Sequence, residues 1–144
     1  MDIDYNNRHF RSVTSTGGDV DGDTWFHYRQ VGDVVWATYH GGGVAFGTLT
    51  AAVLPDGTLD MRYQQVSRNG TIRTGRCVST PEVLPDGRLR LHESWRWTEG
   101  GDGAGESRIE EVPPPAAPEG VVQPAVAAHA QGGGSAPPTI CRAG

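Results

Sequence analysis

The chain has 144 residues, a formal net charge of −5 and a sequence pI of about 5.4. That balance lacks the basic footprint of a nucleic-acid binder, and no apolar run is long enough to cross a bilayer as a helix. The length suffices for one domain with a core of its own.

All 12 basic residues are Arg and none is Lys, a bias we assign to genome composition rather than to function. The opening stretch MDIDYNNRHF is polar and acidic, unlike a signal peptide. Cys77 and Cys141 are too few for a disulfide scaffold, so we expect a reduced, cytoplasmic protein.

Residues 1–7 read as an unstructured lead-in, followed by a first strand over His9–Ser15. GGDVDGD (17–23) is a turn; it lacks the spaced carboxylates and closing Glu of a calcium loop. Thr24–Val31 and Val34–His40 form the second and third strands around Gly32-Asp33. The glycines at 41–43 are followed by no helix and no Lys-Ser/Thr, so they mark a hairpin and not a phosphate cradle. Val44–Val53 is the fourth strand, closed by Pro55-Asp56-Gly57.

Leu59–Val66 is the fifth strand, with Leu59, Met61, Tyr63 and Gln65 on one face. Asn69-Gly70 signals a hairpin into the sixth strand, Thr71–Ser79. Pro85-Asp86-Gly87 then opens the clearest strand of the chain. Leu89, Leu91, Glu93, Trp95 and Trp97 share one face, and Arg88, Arg90, His92, Ser94 and Arg96 the other. TEGGDGAG (98–105) is read as a loop, and Glu106–Val112 as the eighth strand, with Ser107, Ile109 and Glu111 on one face. VLPDGTLDMRY (53–63) echoes in VLPDGRLRLHE (83–93), which equates Tyr63 with Glu93 and points to repeated hairpins.

From Pro113 the chain turns to Pro, Ala and Gly with little charge, and we expect a disordered tail over 113–144, leaving 1–112 as the folded domain. Eight strands joined by tight turns predict an all-β antiparallel up-and-down meander. Closure into a barrel would remove its edges, with a sandwich or a curved open sheet as the alternative.

Glu93 on an apolar face is the main chemical lead, because a charge there needs a partner or a proton. With 98–106 as the connection, Trp97 faces Ser107, Trp95 faces Ile109 and Glu93 faces Glu111; a slip of two residues sets Glu93 opposite Ile109 instead. In the first register two carboxylates share an apolar interior, suited to acid–base work or to a cationic ligand. The structural alternative is a satisfied network with a strand Arg such as Arg76, or with Tyr and Gln. Tyr63, Gln65, Trp95 and Ser107 point inward beside these acids and are candidate ligand contacts. Tyr39 joins them from a strand whose faces read ambiguously, as do those holding His27 and Cys77. Trp36 and Trp97 are either pocket lining or packing. His92 falls on the outer face, away from Cys77, and the five His lack metal-ligand spacing. We expect no cofactor, no metal, no nucleic-acid partner and no membrane. A small-molecule ligand is the partner considered, and the oligomeric state is left open.

FHYRQVGDVVWATYHGGGVAFGTL, LDMRYQQV, TGRCVSTPEVLPDGRLRLHESWRWT and GESRIEEV resemble a family of small bacterial proteins, over about Phe10–Val112. Members are often labelled N-acetylglutamate synthase. An acetyltransferase holds its donor's pyrophosphate at a strand–helix junction, and no such helix is written here. The resemblance implies a calycin-like small barrel. Members often carry His where this chain has Gln65, so no role for that imidazole passes to this chain. Three functions stay open: a binding barrel for a small, partly apolar molecule; a small isomerase, cyclase or hydrolase using an interior acid; and a filled structural barrel.

Overall fold

A computed structural model describes residues 2–15 and 23–114. The part of the expected tail beyond residue 114, and most of the Gly/Asp turn, lie outside the described residues. Eight strands follow in order: β1 (Arg8–Ser15), β2 (Trp25–Val31), β3 (Val34–Gly41), β4 (Val44–Val53), β5 (Leu59–Ser67), β6 (Ile72–Val83), β7 (Leu89–Glu99) and β8 (Ala104–Val112). Each pairs antiparallel with the next, and β1 pairs with β8, so the sheet closes into a barrel. Closure settles the choice among barrel, sandwich and open sheet, and leaves no free edge.

The turn chemistry repeats with the sequence. Leu54 N–H donates to Thr58 O and Gly57 N–H to Leu54 O, both at 2.8 Å; Leu84, Arg88 and Gly87 repeat the two bonds at the same lengths. Ser67, Thr71 and Gly70 make a third copy. Each turn places its glycine at φ near 90°, a conformation that L side chains resist. Asp56, Asn69 and Asp86 each accept the backbone N–H two residues on, which locks the bend.

Alternation does the rest. Phe10, Tyr28, Val35, Leu49, Leu91 and Ile109 point inward and are buried. Their outward neighbours carry ion pairs, such as Arg90 with Glu110 at 2.7 Å. β6 runs four residues beyond the expected Ser79, through Pro81. At that point β5 has already ended, its Leu59 pairing with Ser79, so one side of β6 has no ladder left for proline to break.

One end of the barrel is stoppered by the lead-in segment. Tyr5 is fully buried there; its hydroxyl donates to Gly57 O at 2.7 Å and its N–H to Gln30 Oε1 at 2.8 Å. Ile3 packs against the same core. This overturns the expectation of an unstructured lead-in: the segment has no regular secondary structure, yet burial of Tyr5 and its two hydrogen bonds fix it on the barrel.

Candidate functional site

Two tyrosines lie across glycines on the wall. Tyr39 on β3 spreads over Gly47 of β4, where any Cβ would run into its ring, and its hydroxyl reaches Gln65 Oε1 on β5 at 3.0 Å. Tyr63 on β5 does the same over Gly75 of β6 and meets Trp97 of β7 edge-on, ring centroids 5.5 Å apart. Trp95 stands beside Trp97 at 5.7 Å. The missing side chains at positions 47 and 75 are what let these phenols lie against the wall rather than fill the centre. Tyr39, Gln65 and Trp95 are buried, whereas Tyr63 and Trp97 are half-buried.

Deeper along β7 sits Glu93, directly between Ser79 of β6 and Ser107 of β8 in the strand register. Ser107 Oγ donates to Glu93 Oε1 at 3.1 Å. The Ser79 hydroxyl also favours the ionised carboxylate, although it makes no bond of full geometry and stays buried without a partner. The buried hydroxyls of Tyr28 and Ser12 likewise lack partners. No Arg or His reaches Glu93 among the described residues; its one hydrogen bond is that from Ser107. Burial therefore dominates and lifts its pKa to about 7, against the two serines that hold it down. Burial also raises the phenols of Tyr28 and Tyr63 and the thiol of Cys77, and the charge of Glu93 adds to each. A thiol so raised is no nucleophile.

Glu93 is surrounded by wall and yet keeps part of its surface accessible.

The expected Glu93–Glu111 pair is absent. The register of β7 on β8 is set two steps beyond the slipped alternative, with Glu93 opposite Ser107, Leu91 opposite Ile109 and Trp95 opposite Gly105. The cause is the connection. β7 continues to Glu99, Trp97 N–H donates to Gly103 O at 3.0 Å, and Gly100 and Gly103 take φ of 82° and 110°, so β8 begins at Ala104. Glu111 instead lies at the stoppered end, where Arg8 Nη1 meets Oε1 at 2.6 Å and Leu89 N–H donates to the same oxygen at 3.1 Å. It is a rim ion pair, not an interior acid. Arg76 is exposed on the outer wall opposite Arg62 and Arg96, so it does not neutralise Glu93.

The ambiguous strands resolve as follows. Tyr39 and Cys77 face in; His27 and Trp36 face out, Trp36 being 39% exposed, so it lines no interior pocket. His92 is outside, bonded to Glu82 at 2.7 Å. Tyr28, Ser12 and Ser79 were missed as site residues. For Tyr28 the signal was present: Phe26, Tyr28 and Gln30 alternate with Trp25, His27 and Arg29, but aromatics on both faces blur it. Among the described residues no group of three or more His, Cys, Asp or Glu is placed to hold a metal, and no helix is long and apolar enough to cross a membrane.

Closed eight-stranded geometry, with an apolar core that also encloses tyrosine, tryptophan and a few polar groups, agrees with what sequence comparison finds. The chain matches the avidin-like protein family over residues 3–112. The chain belongs to this family. Its matched span begins in the stopper and ends with β8, so the avidin-like unit coincides with the barrel. No curated protein and no solved structure matches the chain.

Proposed function

We propose that this avidin-like barrel binds a small organic molecule in its lumen. Avidin-like barrels bind small ligands such as biotin. The observation that carries the reading to this chain is Glu93: a half-buried acid with no cation, held by Ser107 and flanked by Ser79, with the buried and unpaired hydroxyl of Tyr28 close enough to feel its charge. A barrel filled for stability alone would leave such groups at a cost of about 1–3 kcal/mol each. A ligand that bonds them removes that cost and gains orientation. Tyr39, Tyr63, Gln65, Trp95 and Ser107 form the surrounding wall, and Trp97 extends it.

An enzyme that uses two acids together is disfavoured by the separation of Glu93 from Glu111. Acetyl transfer is disfavoured too, because the described strands offer no helix end for a pyrophosphate.

Native mass spectrometry of protein purified from its own host should show a retained adduct of one small molecule per barrel. Added 2-naphthol, a neutral aromatic, should quench the tryptophan emission of Trp95 and Trp97 saturably. An adduct-free protein that also ignores 2-naphthol would sink the reading.

A further inference from the structure

We propose that the lumen selects ligands carrying a cationic nitrogen, an amine or amidine on a small aromatic or apolar body, seated against Glu93. This rests on the lumen being the binding site and specifies the chemistry of what enters it.

The charges around the interior give the reason. Two arginines lie at inward register positions near the barrel ends, and both are engaged elsewhere. Arg8 is held by Glu111 at 2.6 Å, and Arg73 lies over the Trp97 ring at 5.3 Å. The groups that face Glu93 are Tyr28 from β2, Tyr63 from β5, Cys77 and Ser79 from β6 and Ser107 from β8. None of them can carry positive charge. An enclosed carboxylate without a counter-ion attracts a cation more strongly than a surface acid does, since little solvent screens the pair. A neutral ligand leaves the burial penalty in place, and an anionic one adds repulsion.

The wall supplies a second attraction. Trp95, Trp97 and Tyr63 present aromatic surface on the same inner side, on β7 and two strands away on β5. Aromatic faces stabilise organic cations, most of all when desolvated. Trp97 already has the Arg73 guanidinium over its ring on the rim side, so cation–aromatic contact is built into this wall. The ligand's cation and the partnerless hydroxyls are compatible: Tyr28 and Ser79 can turn their oxygens toward an N–H donor while the carboxylate takes the charge.

The test uses isosteres: benzylamine, benzyl alcohol and benzoate, read by tryptophan quenching and thermal shift at pH 8. Benzylamine should bind about ten-fold more tightly than benzyl alcohol, and benzoate should bind least. The advantage of the amine should shrink by most of that factor as pH falls from 8 to 5.5, because Glu93 gains its proton near 7 and no other group facing the site titrates in that range. The pH series needs no variant. Glu93→Gln should bring benzylamine down to the level of benzyl alcohol measured on the same variant. If the alcohol or benzoate matches the amine at pH 8, or the preference survives Glu93→Gln, the cation assignment is wrong and lumen binding stands. If 2-naphthol binds and benzylamine does not, the same conclusion follows. If none binds, both readings fall.

Discussion

Glu93 and Glu111 are the same residue type, both on inner faces of adjacent strands, and the barrel treats them in opposite ways. Glu111 has a guanidinium at 2.6 Å and a backbone N–H at 3.1 Å, and sits at the stoppered end. Glu93 has one serine hydroxyl at 3.1 Å and no cation, and its side chain is half-buried. The rim acid is part of what closes the barrel. The interior acid works against the fold, which is the ground on which we propose it as a ligand contact. Position on a strand face thus says little about role; the partners decide it.

The largest test of this contrast is Glu93→Gln. The folded pKa of Glu93, about 7, lies above its ordinary 4.5. A raised carboxyl contributes stability that is fully present below pH 4.5 and is lost as pH rises through 7. The ligand-free protein should therefore lose up to about 3 kcal/mol between pH 4.5 and 8 from this residue alone. Gln keeps the shape without the charge, so the variant should be more stable than the parent at pH 8 and equal to it near pH 4.5. Urea unfolding at the two pH values measures this. A variant less stable at pH 8 would show that Glu93 has a counter-charge after all.

Second in size is Glu111→Ala. It strips Arg8 of its partner and leaves Leu89 N–H without an acceptor at the stoppered end. The ion pair is partly exposed, so the loss should be about 1–2 kcal/mol at pH 7. The preference for benzylamine should be unchanged, in contrast to Glu93→Gln. A loss of that preference over benzyl alcohol in Glu111→Ala would place the two acids in one site and undo the comparison.

Much of the wall was legible in the sequence. The alternation of Leu89–Trp97 and the repeated LPDG turns give strand, face and hairpin from local chemistry, because φ-permissive glycines and period-two patterning act over a few residues. Glu93 stood out because charge among Leu and Trp is a local contradiction. Its partner did not, since register depends on how many residues the connection uses. Gly100 and Gly103 make that connection shorter than the composition of 98–105 suggests. The seam between β1 and β8 joins residues about a hundred apart, and no local pattern encodes it. Ser79 was passed over as the last residue of the expected sixth strand; the strand runs on through Pro81, which breaks no ladder where β5 has already stopped.

The smallest expected effect comes from the outer wall, and it completes the pH picture. His9 and His27 stack across β1 and β2, centroids 4.2 Å apart, with Asn7 Oδ1 3.1 Å from His27 Nε2. Partial burial, then His9, then Arg29 lower the His27 pKa to about 4; His9 is also lowered by burial and Arg29, with Glu111 pulling it back up. A lowered histidine contributes stability that is complete above its ordinary 6.5 and declines as pH falls toward 4. This runs opposite to Glu93 over the same range, so in the parent protein the two trends partly cancel. Both rings are half-exposed and screened, which limits the histidine contribution to about 1 kcal/mol. In the Glu93→Gln background, where the larger trend is gone, stability should fall between pH 6.5 and 4.5. Adding His27→Gln should flatten most of that fall. A double variant as acid-sensitive as Glu93→Gln alone would mean that the stacked pair does not set the acid limb. The loss would then have to come from surface carboxylates held ionised by their partners, with Glu82 beside His92 the first to test.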